Sequence, residues 1–572
     1  MIILGIHDGH NASACLMRNG EILAALQEER IQYQKNYSGF PEAAIRWVFS
    51  YSKLSIGDVD CFAFNGDHMP IAAPDRESLL DEFRRASSWL VKGKRLVKKL
   101  GGDATFTDIR KTQRLASLER AGGDTSKAKF VNHHLCHAAS TYYGWGNYSD
   151  DILVLTCDGM GDRVCATVSK GTGGHLKLIE SIPESDSVCN IYAALTFLLG
   201  MVPLEHEYKI MGMAPYVSKD KSREVADMFW RHFQFVESNP IVWQRVNGMP
   251  PTFYSLSFLK KMLDGIRFDY VMGGLQLFFE EIMTQWVRNC VLATGINRVA
   301  LGGGGFMNVK ANKLIMELDE VADLFVYPSC GDETNAMGAC YYIQAERKDH
   351  TDIEPLKHVY FGPEFSNAEV LSAIDDFAFN DTQVEVVEES NIDQRVAKLL
   401  SENKVVARFN GREEFGARAL GARSILANPS DVDVKQEINE MIKNRDFWMP
   451  FASSIIEERA SDYIVNPKNI PSPYMILSYD TTDRATDLVA GIHPYDKTIR
   501  SQLVSPETNP GYYNLIKEFE EITGIGGVLN TSFNLHGFPI VHTPENALDV
   551  FQKSNLQYLA IGDYLVKKNS RP

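Results

Sequence analysis

The chain has 572 residues, with 58 Lys plus Arg against 74 Asp plus Glu, giving a formal net charge of −16. Hydrophobic residues make up 44% and charged residues 23%, a globular balance that excludes collagen-like, low-complexity and largely disordered chains and predicts roughly two to four domains. No apolar run approaches the ~18 residues of a membrane helix, and the acidity speaks against broad polyanion binding, so neither a membrane nor a nucleic-acid partner is expected.

Met1–Ile6 is too short for a signal-peptide core and has no basic start, so it reads as a first strand. There are nine cysteines, an odd number, and no Cys-x-x-Cys pair. Cys15, Cys157, Cys165 and Cys330 sit in apolar or strand-like settings, which predicts reduced, non-catalytic thiols in a cytoplasmic protein.

The chain opens as strand, polar turn, strand: Ile2–Ile6, then His7–Ser13, then Ala14–Met17. Asn19-Gly20 is a hairpin signal leading to a third strand, Glu21–Leu26. The theme returns at Asp151–Cys157, which ends in Asp158-Gly-Met-Gly-Asp162, followed by Val164–Val168, a Gly-rich turn at 171–174 and Leu176–Ile179. Two such units suggest an internally duplicated α/β domain. Between them the basic runs Arg84-Arg85 and Lys92 to Lys99 predict a solvated helical insertion. Residues 220–290 read as mostly helical. A strand at Arg298–Leu301 runs into Gly302–Gly305, and one at Leu324–Tyr327 leads into Gly331-Asp332 and an Ala-rich helix. The charged, turn-rich stretch 345–360 marks a boundary, giving domains 1–350 and 351–572. The second again mixes strands, such as Lys404–Arg408, with helices.

Asn132 can cap a helix that places His133 and His137 one turn apart on one face, with His134 pointing elsewhere. That spacing suits two imidazoles on one metal. Asp158 and Asp332 each follow a strand, where α/β folds place ligand groups. Two His and two Asp form a hard-to-borderline donor set for Fe(II), Mn(II) or Zn(II). Gly302–Gly305 lets backbone approach a ligand closely. Further on, Arg408, Arg412, Arg418, Arg423, Lys443 and Arg445 cluster in an otherwise acidic chain, several of them among glycines. Planar guanidinium forks suit phosphate or carbamoyl oxygens; surface ion pairs with Glu413 and Glu414 are the plainer alternative. Asn530–Asn534 is a donor-rich loop after Gly527-Val-Leu529. Neither Gly-x-Ser-x-Gly nor His-Glu-x-x-His occurs.

Several segments, in this order, resemble the O-carbamoyltransferase family of the nodulation-protein U and tobramycin-carbamoyltransferase type. They are His10–Ser13, Glu28-Glu-Arg30, His133–Ala139, Asp158–Gly161, Lys209–Ala214, Gly302–Gly305, Gly416–Gly421, Pro450–Ala452 and Leu529–Asn534. The resemblance implies an actin-like, threonylcarbamoyltransferase-like N-terminal domain fused to an α/β YrdC-like C-terminal domain. The latter would join carbamoyl phosphate and Mg-ATP into carbamoyl adenylate, and the former would pass the carbamoyl group to a hydroxyl of a small molecule. By resemblance, His133, His137, Asp158 and Asp332 hold the metal, Fe(II) first among the three. His10 is the general base, with Lys35 at the acceptor site. Lys209, Gly303, Gly304 and Asn308 approach the nucleotide in the transfer domain. Arg418, Arg423, Lys443, Arg500, Asn530, Ser532 and Asn534 line the adenylation site. Met449 stands where antibiotic members carry a basic residue, so one phosphate contact is either lost or supplied by Arg445. The family also admits a homodimer. A fused tRNA-modifying threonylcarbamoyl enzyme would need a basic surface that −16 does not favour. An actin-like ATPase or sugar kinase explains the duplicated strands but neither the histidine pair nor the arginines, and a non-catalytic binding protein explains none of the reactive groups.

Overall fold

Apolar runs bounded by polar turns become strands in both halves of the N-terminal region. The first set is β1 (Ile2–His7), β2 (Ser13–Arg18), β3 (Glu21–Gln27), β4 (Cys61–Asn65) and β5 (Ala128–Val131), and the second opens with β6 (Ile152–Gly161), β7 (Val164–Thr172) and β8 (His175–Pro183). A short hairpin, β9 (Phe233–Val236) and β10 (Asn239–Arg245), precedes β11 (Arg298–Gly302) and β12 (Asp323–Val326). The computed structural model describes residues 1–68, 76–86, 103–347, 352–379, 383–443 and 446–569. It divides into two units, one of Met1–Glu28 with Asn36–Leu356, the other of Glu29–Lys35 with Lys357–Pro572. The break at Leu356 falls inside the 345–360 stretch read as a boundary. The transfer of Glu29–Lys35 to the second unit is a departure from the two-block division at 350.

In the first unit two five-stranded sheets share one strand order. The first is β3-β2-β1-β4-β5 and the second, read the same way, is β8-β7-β6-β11-β12. In each, the leading three strands are antiparallel and the last two run parallel to the first. The duplication suggested by the strand–turn–strand repeats is therefore present in the topology. Each repeat ends in a helix, His133–Trp145 after β5 and Asn335–Arg347 after β12. The two helices pack on each other, and each crosses over: the first lies on β6 and β11, the second on β1, β2 and β4. Small residues make this possible. A Cβ at Gly338 would fall 2.0 Å from the Cys136 carbonyl oxygen, and one at Gly5 of β1 would fall 1.9 Å from that of Ala336.

The stretch read as mostly helical holds helices Lys219–Trp230, Leu256–Met262 and Phe268–Thr294, but also the β9–β10 hairpin. Trp243 of β10 meets Trp286 edge-on with ring centroids 5.0 Å apart, and Trp286 Nε1 donates to Ile241 O at 2.9 Å. This tertiary packing stabilises a pairing that local periodicity does not announce. Arg84 and Arg85 lie on the exposed helix Arg76–Ala86 and pair with Asp81, as expected of a solvated helix; Lys92 to Lys99 lie outside the described residues. All nine cysteines are free thiols. No helix among the described residues is long and apolar enough to cross a membrane.

The second unit is built on one mixed sheet with the order β13-β22-β21-β14-β15-β20-β16-β19-β18-β17. Its strands are β13 (Val384–Glu388), β14 (Val406–Phe409), β15 (Arg423–Ala427), β16 (Ala452–Ile456), β17 (Ile464–Val465), β18 (Ser478–Thr481), β19 (Thr498–Val504), β20 (Gly527–Ser532), β21 (Tyr558–Ile561) and β22 (Tyr564–Lys568). Alternate residues feed two cores: Ala407, Phe409, Ile425 and Ile561 on one face, Val406, Leu426 and Ala560 on the other. A sheet buried on both faces needs such continuous apolar strands. Polar residues inside it therefore stand out, and Ser454, Gln502 and Asn530 are such residues.

Replacing Gly338 by Ala should cost about 1–3 kcal/mol or more through overpacking and, by shifting the start of the 335–347 helix, should also weaken divalent-metal binding. Thermal unfolding and metal titration of the variant would check both.

Candidate metal centre and anion site

The Asn132 side chain accepts from Leu135 N at 3.1 Å and so caps the His133–Trp145 helix. His134 turns away into the protein, its ring nitrogens facing Thr156 Oγ1 at 2.8 Å and Val164 O at 3.0 Å. Burial, together with His133 and His137, pushes it down to about 3, so it is neutral. His133 and His137 face Asp158 at the tip of β6 and Asp332 in the turn before the second crossing helix. His133 Nε2 lies 3.1 Å from Asp158 Oδ2 and 3.4 Å from Asp332 Oδ1; His137 Nε2 lies 3.6 and 3.3 Å from the same atoms. All four donor atoms lie within 4.8 Å of one another.

This set fits a divalent ion. Bonds of ~2.1 Å place tetrahedral ligands ~3.4 Å apart, close to the separations seen. Asp332 Oδ1 is buried between the two imidazole Nε2 atoms, 3.4 and 3.3 Å away, and burying a carboxylate is costly unless positive charge answers it. Two imidazoles and two carboxylates suit Fe(II), Mn(II) or Zn(II) alike. Close packing holds the set: a Cβ at Gly161 would fall 2.1 Å from the His133 ring, and one at Gly304 would fall 2.8 Å from Asp158 Oδ1.

Burial alone would depress His137, but hydrogen bonding and charge from Asp158 and Asp332 overcome it and raise it to about 9. Burial likewise works to raise Asp158, and the two imidazoles override it, holding the carboxyl well below the usual carboxylate range. Behind the ligands stand residues that sequence reasoning missed. Asn65 Nδ2 donates to His7 Nδ1 at 2.8 Å and lies 3.4 Å from His133 Nδ1, while His7 Nε2 donates to His10 O at 2.7 Å. Burial lowers His7, in keeping with this neutral tautomer. Asp162 accepts from the backbone N–H of His133 at 2.7 Å, of Asp67 at 3.0 Å and of His68 at 2.6 Å. Asn335 Nδ2 lies 3.2 Å from His137 Nε2. The strand-end positions of Asn65 and Asp162 were the available signal.

The other expected residues fall into place unevenly. His10 lies in the turn after β1, bridged to Ser38. Lys35 lies on the Glu29–Lys35 segment, which belongs to the second unit. Lys209 is half-buried on the helix Glu207–Met213, and Gly303 and Gly304 lie where β11 meets Asp158. Asn308 has structural duties: its Oδ1 caps the helix Val309–Glu317 at Ala311 N, and its amide pairs with that of Gln276, both hydrogen bonds 3.0 Å long.

In the second unit Lys443, Ser532 and Asn534 come together. Lys443 Nζ donates to Asn534 Oδ1 at 2.6 Å, Asn534 O at 3.1 Å and Ser532 Oγ at 3.2 Å, and to Ser532 O. Asn530 Nδ2 donates to Ser454 Oγ at 3.0 Å and Ala419 O at 3.2 Å. Arg418 is half-buried on the 416–421 loop, and Arg500 lies on β19 opposite Ser478. Arg445 lies outside the described residues. Arg423 departs from expectation. It is fully buried, its guanidinium stacks 3.7 Å over the Phe409 ring, and it donates to the carbonyls of Gly411 at 3.0 Å and Pro363 at 3.1 Å. Burial depresses it to about 10 despite Glu413 and Glu414. It ties the 410–411 turn to Pro363. Glu413 and Glu414 are buried too: Glu413 pairs with Arg30 and His542 away from the surface, and Glu414 accepts from the backbone N–H of Leu420 and Arg423.

Family models described as carbamoyltransferase N-terminus and carbamoyltransferase C-terminus match residues 2–341 and 397–568. The chain is 29% identical to nodulation protein NolNO of Sinorhizobium fredii, over 98% of this chain and 79% of that protein. It is 30% identical to an uncharacterised protein of Methanocaldococcus jannaschii, over 99% of this chain and all of that one. The solved structure of full-length HypF in its phosphate- and nucleotide-bound form shares 13% identity, with a TM-score of 0.33, covering 60% of this chain and 46% of that one; so low an overlap carries no weight on fold or ligand.

Two outcomes follow from the geometry of the four donors. The metal-free His137 proton, held above the ordinary value of 6.5, stabilises the fold fully below pH 6.5 and ceases to as pH rises through about 9. Metal uptake at pH 7 should therefore release about one proton and tighten toward pH 9, as calorimetry in buffers of different ionisation enthalpy would show. Asn65→Ala should weaken metal binding ~10–100-fold, the range for a supporting residue, and His137→Ala by more.

Proposed function

The chain belongs to the carbamoyltransferase family, and from that premise we propose that it is an ATP-dependent O-carbamoyltransferase acting in two half-reactions. The C-terminal unit is read as a YrdC-like adenylation domain. There carbamoyl phosphate loses its phosphoryl group to water, the carbamate oxygen attacks the α-phosphorus of ATP, and pyrophosphate leaves. Carbamoyl adenylate is the product. Arg418, Lys443 and Arg500 supply cations for the phosphates, and Ser532, Asn534 and Asn530 supply donors and acceptors beside them.

The first unit, read as actin-like, carries out the transfer. The acceptor oxygen attacks the carbamoyl carbon, its proton passes to His10 acting as general base, and AMP leaves. His133, His137, Asp158 and Asp332 would hold a divalent ion, which when bound polarises the carbamoyl donor and neutralises nucleotide phosphate. Gly303 and Gly304 pack the backbone against Cys157 and Asp158, as no residue with a Cβ could, and with Lys209 they are read as approaching the nucleotide. His7 keeps its proton on Nε2 and donates it to His10 O, which fixes the backbone that carries the base.

The observation that carries this reading is the convergence of four donors from both repeats in a family member. The acceptor is proposed to be a hydroxyl of a small natural product. The formal charge of −16 favours a cationic acceptor, such as a saxitoxin-type alkaloid or an aminoglycoside, through long-range attraction.

The purified protein with ATP, carbamoyl phosphate and a divalent metal, without acceptor, should release pyrophosphate only when carbamoyl phosphate is present. Arg418→Ala should abolish that release and His137→Ala should spare it. Formation of ADP in its place would overturn the adenylate mechanism in favour of a kinase-like one.

A further inference from the structure

The Glu28-Glu-Arg30 motif takes no part in either half-reaction as described. Glu28 has a local role: its carboxylate accepts from Ala43 N at 3.1 Å and Ala44 N at 2.7 Å at the start of the helix Glu42–Ser52. Arg30 does not. It lies on the Glu29–Lys35 segment of the second unit and is 1% exposed. Its Nη2 donates to Gly416 O at 2.6 Å, and its Nη1 lies 3.4 Å from Glu413 Oε1.

A buried guanidinium is costly, and its main bond shows what it holds. Glu413 has a second partner, His542 Nδ1 at 2.6 Å from its Oε2, and Arg30 Nε lies 3.7 Å from Glu29 Oε1. The shortest of Arg30's contacts is the one to Gly416. That residue has φ +103°, a region that strains any residue with a Cβ, and it starts the loop bearing Arg418. The far end of the loop is well secured. Leu420 O accepts from Tyr360 Oη at 2.8 Å and Gln502 Nε2 at 3.1 Å, Ala419 O from Asn530 Nδ2 at 3.2 Å, and Glu414 Oε1 accepts from Leu420 N at 2.7 Å. Arg30 grips the near end.

We propose that Arg30 is a positioning residue of the adenylation site: by holding the Gly416 carbonyl it sets the backbone from which Arg418 reaches an anionic substrate. Anion binding by the second unit thus depends on a segment that the chain supplies some 380 residues earlier. The inference rests on the reading of Arg418 as a phosphate ligand given above.

Full-length Arg30→Met and Arg30→Lys would test it by two readouts. Amide exchange across 416–421 should quicken about tenfold in Arg30→Met, and kcat/KM for carbamoyl phosphate in pyrophosphate release should fall roughly 10- to 100-fold, mainly through KM. Arg30→Lys should recover part of both, since an ammonium reaches one of the two acceptors. Wild-type exchange and KM in both variants would overturn the proposal. If Arg30→Met does not fold, Arg30→Lys decides by the same readouts. If the wild type releases no pyrophosphate, the adenylate reading falls. The anchor is then judged by whether inorganic phosphate slows loop exchange in the wild type but not in the variants; equal behaviour would overturn it.

Discussion

The close approach of two helices is the constraint on which the first unit depends. With no side chain at Gly338, the backbone of the 335–347 helix lies against the Cys136 carbonyl of the 133–145 helix. Each helix belongs to one repeat and packs on the sheet of the other. Because they interlock, the start of each points into the same small volume. His133 and His137 arrive there from the first repeat, Asp332 from the matching turn of the second, and Asp158 from the tip of β6. Duplication followed by crossing converts two similar folding units into one asymmetric donor set.

Electrostatics then determine what that volume will accept. Two carboxylates and two imidazoles share a buried space in which ionised groups gain little from water. The carboxylates keep His137 protonated near neutral pH, and the imidazoles keep Asp158 ionised. A divalent cation can take the place of that proton among the two imidazoles and two carboxylates. His134, next to His133, is excluded because its ring is committed to Thr156 and Val164.

The second unit uses burial differently. Its sheet buries a polar strip of Ser454, Gln502 and Asn530 in its central strands. That strip holds the inner side of the 416–421 loop through the Ala419 and Leu420 carbonyls. Glu414 holds the Leu420 N–H of the loop, Arg423 ties the neighbouring 410–411 turn to Pro363, and Arg30 grips the loop's first residue. Cations adjacent in sequence thus divide by depth: Arg418 is half-buried on the loop, whereas Arg423 stacks on Phe409 and bonds to backbone carbonyls.

Local chemistry made much of this legible in the sequence. The helix cap at Asn132 and the one-turn spacing of His133 and His137 follow from helical geometry, as do the hairpin at Asn19-Gly20 and the repeated strand–turn–strand pattern from strand periodicity. Asp158 and Asp332 were recognisable as strand-end carboxylates. Three things required the tertiary structure, because burial and long-range packing leave no local trace. Asn308 and Arg423 have the same composition whether they face a ligand or, as here, hold Gln276 and backbone carbonyls. The β9–β10 hairpin exists because Trp243 finds Trp286. Glu29–Lys35 joins the second unit because Arg30 is buried on Gly416. The sequence by itself determined which groups could do chemistry and on which local elements they ride; only the fold decided which of them share a space, since that depends on contacts between residues hundreds of positions apart.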